Sequence, residues 1–106
     1  MTIRQPLPNR RRTITESRDW CGRPLIVSVG IDDHGVVREV FADHAKSGSD
    51  ADASLDDSLV VVSLALQSGW SIGDILRHLG REGTDVTAPA ASVLGYAIEI
   101  AAGMGV

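Results

Sequence analysis

Leu25-Ile26-Val27-Ser28-Val29-Gly30-Ile31-Asp32-Asp33-His34-Gly35-Val36 carries the clearest structural signal in the chain. Leu25, Val27, Val29 and Ile31 take alternate positions and Ile26, Ser28 and Gly30 the others, the period of a half-buried β-strand. Asp32-Asp33-His34-Gly35 then reverses the chain, with Gly35 suited to the positive φ of a hairpin loop. Val36 to Ala42 returns as the partner strand. Upstream, Arg11 to Trp20 alternates Thr13, Thr15 and Ser17 against Ile14 and Glu16, and Cys21-Gly22-Arg23-Pro24 is a turn. A three-stranded antiparallel meander over about residues 11–42 follows.

After Asp43 the period changes from two to 3.6. Lys46 to Ala53 is a polar loop, and Leu55, Leu59, Val62 and Leu66 then fall at helical spacing, predicting a helix near 53–68 that Gly69 stops. Asp56, Ser63 and Gln67 form a narrow polar seam on it. With Val60, Val61 and Leu64 also apolar, that helix is expected to be buried on two sides. Ser71 and Asp74 form a capping box for a short second helix ending at Gly80. Thr87 is the expected cap of a third, with Pro89 in its first turn, running through Val93, Leu94, Ala97, Ile98 and Ala101. The order βββααα defines an α+β fold, a three-stranded antiparallel meander followed by three helices packed on one face. Residues 1–9, with Pro6 and Pro8, read as an extended basic arm, and 10–106 as one domain.

The composition narrows the function classes. A chain of 106 residues with 43% hydrophobic content is one globular domain. Its single cysteine, Cys21, forms no internal disulfide and anchors no cysteine-rich zinc site. The basic start is followed by no apolar segment of signal-peptide type, and the apolar run 90–106 contains Glu99 and is too short to span a bilayer. A cytoplasmic protein is expected. Nine of the ten basic residues are arginine, a bias consistent with a GC-rich bacterial or phage genome. Charge is unevenly placed: residues 1–23 carry a balance of +4 and residues 24–106 one of −8. A basic arm on an acidic body suits a polyanion or the body of a second copy.

Four stretches in order resemble one family: Pro8-Asn9-Arg10-Arg11, Val27-Ser28-Val29-Gly30, Glu39-Val40-Phe41 with Lys46-Ser47-Gly48-Ser49, and Ser63-Leu64-Ala65-Leu66 with Gly69. Together they are similar to the TSCPD domain, the C-terminal module of adenosylcobalamin-dependent ribonucleotide reductases, which also occurs as free-standing chains of about this length. The resemblance covers roughly residues 8–100. It implies a link to deoxynucleotide supply. The family takes its name from a Thr-Ser-Cys-Pro-Asp motif, and the closest stretch here, Thr87-Ala88-Pro89-Ala90, has neither the cysteine nor the acid. The catalytic domain of the parent enzymes is not in this sequence.

Individual residues offer less chemistry. His34, His44, His78 and Cys21 stand at no metal-ligand spacing, so neither a metal nor any other cofactor is expected. Cys21 beside Arg23 lacks a paired base. Lys46 and Ser47 open a helix but lack a Walker spacing, and Asp50, Asp52, Asp56 and Asp57 crowd the same end. Glu39 alternates with Phe41; if Phe41 faces the helices, so does Glu39, and a buried carboxylate needs a cation, Arg11 or Lys46. Arg10, Arg11 and Arg12 could meet phosphates, without the aromatic platform of a nucleic-acid binder. The candidate binding residues are thus Arg10, Arg11, Arg12, Glu39, Lys46 and Ser47, with no catalytic residue among them.

Three functions remain open on these residues. The first is a non-catalytic accessory or regulatory module linked to ribonucleotide reduction, the second a protein-interaction domain unrelated to reductases, the third a weak nucleic-acid binder. Self-association as a homodimer is expected, because a core this small rarely supplies more than about 3–5 kcal/mol and Val60, Val61 and Leu64 exceed what one sheet can cover. Trp20, beside the arm, is a candidate anchor for that contact.

Overall fold

A computed structural model describes residues 12–44, 50–84 and 88–105. The element order is β1 (Arg12–Trp20), β2 (Arg23–Ile31), β3 (Val37–Asp43), α1 (Asp50–Gln67), α2 (Ile72–Arg77) and α3 (Val93–Ala102). The strands form one antiparallel sheet in the order β1-β2-β3, so the expected βββααα architecture is the one observed.

Alternation in β2 does what its sequence implies. Leu25, Val27, Val29 and Ile31 are buried against the helices, while Ile26 stands exposed on the other face. The core closes over them with Val37 and Val40 from β3, Leu55, Leu59, Val62 and Leu66 from α1, and Ala97, Ile98 and Ala101 from α3. Full burial of a side chain such as Leu25, Leu59 or Ile98 contributes about 1.5–3 kcal/mol, and the core holds β2, β3, α1 and α3 together.

Two turns fix the meander. Cys21 and Gly22 join Trp20 to Arg23 with φ of 52° and 81°, the pair of positive values that matches hairpin twist in a type I′ turn. Strand β2 therefore begins at Arg23, two residues before the expected start. The second turn is organised by Asp32. Its Oδ1 accepts from the His34 and Val36 N–H groups at 2.9 and 3.0 Å, and Gly35 takes φ 79°.

Strand β3 departs from simple alternation. Ile31 pairs with Val37 but Gly30 pairs with Glu39, leaving Arg38 as a bulge. The extra residue reverses the phase, so Val37 and Val40 both enter the core and Phe41 is 50% exposed on the opposite face. Glu39 shares that outer face with Phe41. Its expected burial under the helices does not occur.

The helices bring further corrections. α1 is buried along Leu55, Leu59, Val62 and Leu66, but Val60 and Val61 are 53% and 67% exposed and Leu64 40%. Within one chain this helix is covered on one side, not two. α2 has the expected cap, with the Asp74 N–H donating to the Ser71 hydroxyl at 3.0 Å, but ends at Arg77 with His78 as its C-cap. α3 starts at Val93, capped by Ser92, whose hydroxyl accepts from the Gly95 N–H. Pro89 and Ala90 precede it, and Ala90 bridges to Arg81; Thr87 lies outside the described residues. The stretch after Pro89 spends its backbone groups on the 80–82 segment, through Glu82 N–H to Pro89 O and Ala91 N–H to Gly80 O. That pairing delays the helix.

Candidate functional site

Among the described residues, the family-like stretches 27–30, 39–41 and 63–66 meet in space. Val29 pairs with Val40, and Ser28 with Phe41, across β2 and β3. The Ser63 hydroxyl of α1 accepts from the Val40 N–H at 3.0 Å and donates to the Val40 carbonyl at 3.3 Å. Gln67, one turn on, donates to the Arg38 carbonyl at 3.4 Å. Ser63 and Gln67 of the polar seam thus satisfy the outer edge of β3, while Asp56 is exposed. These residues build the scaffold and bring no reactive group to a cleft.

Arg38 completes this seam. Its Nε donates to Asp32 Oδ2 at 3.0 Å and its Nη1 to the Leu66 carbonyl at 2.8 Å. A cation at the last turn of α1 complements a helix that has no basic residue of its own there. Partial burial pushes the Asp32 carboxyl up, but the Val36 N–H, the Arg38 guanidinium and the His34 N–H together hold it below its ordinary value. Neither Arg38 nor Asp32 stood out as a partner in the sequence. A bulge that turns Arg38 toward α1 has no local signature.

A cleft of about 300 Å³ lies between β1 and α3, lined by Glu16, Arg18, Tyr96, Glu99, Ile100 and Gly103. Arg18 Nη2 pairs with Glu16 Oε2 at 2.6 Å. Trp20, at the end of β1, stacks on Tyr96 with ring centroids 5.0 Å apart at 31°, a contact of about 0.5–1.5 kcal/mol beyond burial. That stacking ties β1 to α3, with Trp20 half-buried at the end of the strand. One arginine, two carboxylates and a phenol can recognise a polar group. The lining has no nucleophile activated by a base, and among the described residues no group of three or more His, Cys, Asp or Glu could hold a metal.

Of the expected binding residues, Arg12 is exposed at the start of β1 and faces Ile31 in register. Glu39 is partly buried on the outer sheet face. Arg10, Arg11, Lys46 and Ser47 lie outside the described residues, as do both cations expected to pair with Glu39. The structure does not bring Arg12 and Glu39 into one site. Cys21 is exposed in its turn, His44 Nε2 lies 3.2 Å from the Trp20 carbonyl, and His78 Nδ1 2.7 Å from the Asp74 carbonyl. No helix among the described residues is long and apolar enough to cross a membrane.

A bulged three-stranded meander sealed along one edge by a serine-bearing helix defines a small α+β module in which the motif residues Val29, Val40 and Ser63 are architectural. The TSCPD domain model matches residues 2–102, nearly the whole chain. The chain belongs to the TSCPD domain family, as its motifs led us to expect. No curated protein and no solved structure matches it significantly.

Proposed function

We propose that this chain is a non-catalytic accessory or regulatory module in deoxynucleotide supply, docking on a ribonucleotide reductase or on a related nucleotide enzyme. The observation that supports this reading is the match to the TSCPD domain across residues 2–102, since the motifs resemble the C-terminal module of adenosylcobalamin-dependent reductases. The site chemistry is in keeping with it. The β1–α3 cleft offers Arg18, Glu16, Glu99 and Tyr96 for recognition, and the stretch most similar to the family's cysteine motif, Thr87-Ala88-Pro89-Ala90, has no thiol.

The test is titration calorimetry of the full chain against the purified ribonucleotide reductase of the same cell, followed by reductase turnover with and without the chain. Binding in the micromolar range together with a change in turnover or in effector response is expected. Reductase that neither binds the chain nor changes its turnover would exclude this function. Recovery of DNA or RNA with the chain, in place of a nucleotide enzyme, would favour the nucleic-acid reading instead.

A further inference from the structure

The two edges of the sheet are treated differently. The edge of β3 is closed by α1, through Ser63 on Val40 and Gln67 on Arg38. The edge of β1 pairs with no strand among the described residues. β1 runs nine residues in unbroken register with β2, and it contains no proline to blunt it. A long regular edge of this kind is a template for another strand.

The pairing phase identifies which groups are open. Cys21-Gly22 is a two-residue turn, so Trp20 and Arg23 form a hydrogen-bonded pair and even-numbered residues of β1 bond to β2. Thr13, Thr15, Ser17 and Asp19 therefore aim their backbone N–H and C=O groups outward. Two observations agree. The same phase carried across β2 points the Val40 groups to the far edge, where Ser63 takes them. At the near edge the Ser17 carbonyl accepts from the guanidinium of its neighbour, Arg18 Nη1, at 3.1 Å, and from no strand among the described residues.

We propose that β1 pairs antiparallel with β1 of a second copy, about a two-fold axis at Ser17, to make one continuous sheet across a homodimer. The side chains select this register. With Ser17 opposite its symmetry mate, Glu16 stands opposite Arg18 of the partner subunit, and Ile14 opposite Trp20 of the partner subunit. Opposite charges and apolar groups then meet on the helix-bearing face, twice by symmetry. Thr15 stands opposite Asp19 of the partner subunit on the other face. Sliding the axis to Glu16 sets two carboxylates face to face, and sliding it to Arg18 sets two guanidinium groups together. The Glu16–Arg18 pair within each chain becomes half of a four-membered ring of alternating charge. About six new backbone hydrogen bonds form along the overlap. The two β1–α3 clefts lie side by side along this seam. The occupant is a second copy because the pattern is complementary to itself. Such a dimer requires no link to a reductase.

The test uses the full chain with Cys21→Ser as background. Ser17→Cys should cross-link to itself under mild oxidation, because hydrogen-bonded antiparallel partners sit about 5.5 Å apart at Cα. Thr15→Cys and Ile26→Cys should not. Light scattering should give twice 11.2 kDa for the parent chain. Thr15→Pro, which removes an outward N–H and leaves the ladder to β2 intact, should give 11.2 kDa with an unchanged circular dichroism spectrum. Glu16→Arg should weaken the dimer, and Glu16→Arg with Arg18→Glu should restore it. A monomer at every concentration without cross-linking at Ser17 overturns the proposal. So does a dimer that survives Thr15→Pro in a folded protein, or one that cross-links through Val61→Cys and not through Ser17→Cys.

Discussion

The Ser63 hydroxyl sits between the two backbone polar groups of Val40, accepting from its N–H at 3.0 Å and donating to its carbonyl at 3.3 Å. A single side chain on a helix thereby does the work of a fourth strand. Ser63 is buried, so Ser63→Ala leaves both Val40 groups without their partner and without water. A loss of about 2–3 kcal/mol is expected, read as a lower urea midpoint with an unchanged m-value. A loss under about 0.5 kcal/mol, the size of a surface substitution, would show that the seam does not carry the edge.

Asp32 gives stability an acid limb. Its carboxyl lies below its ordinary value in the folded chain, held there against partial burial by the Val36 N–H, Arg38 and the His34 N–H. A folded pKa below the unfolded one contributes stability above the unfolded value, near 4, and loses it as pH falls through the folded value. Asp32→Asn should cost about 1–2 kcal/mol at pH 7, allowing for the lost charge-assisted bonds. The gap between the two proteins should close on titration from pH 5 towards pH 2. A gap independent of pH would assign the loss to geometry and not to charge.

Cys21 occupies a left-handed conformation at φ 52° beside Gly22 at 81°. Such a backbone disfavours cysteine and suits asparagine, which is common at the first position of type I′ turns. Cys21→Asn should raise stability by about 0.5–1 kcal/mol, measured by thermal unfolding under reducing conditions. Destabilisation would mean that the thiol makes a contact more valuable than the strain it causes.

The two sides of α1 should respond unequally. Leu59 is buried and Val61 is 67% exposed. Leu59→Ala should cost about 2–5 kcal/mol through lost packing and a residual cavity, whereas Val61→Ser should change stability by less than about 0.5 kcal/mol. Equal costs would mean that the exposed side of α1 is covered in solution.

Local chemistry was enough to determine much of the fold. The alternation of Leu25, Val27, Val29 and Ile31, the glycine-bearing loop at Gly35, the helical spacing from Leu55 to Leu66 and the Ser71 cap are encoded within a few residues. Each depends on dihedral preference or side-chain period, which neighbours in sequence set. The motif residues Val40 and Ser63 were likewise legible as features of a family. That they touch, and that their role is to close a sheet edge, depends on contacts between residues 23 positions apart. The bulge at Arg38 is of the same kind. It moves Glu39 and Phe41 to the outer face because Val37 and Val40 both gain more from the core than strict alternation allows. The late start of α3 follows from hydrogen bonds between the 80–82 and 89–91 segments, and the β1–α3 cleft from the stacking of Trp20 on Tyr96. Period and propensity place a side chain on one face of its own element. Which element that face meets is decided by the packing of the whole chain.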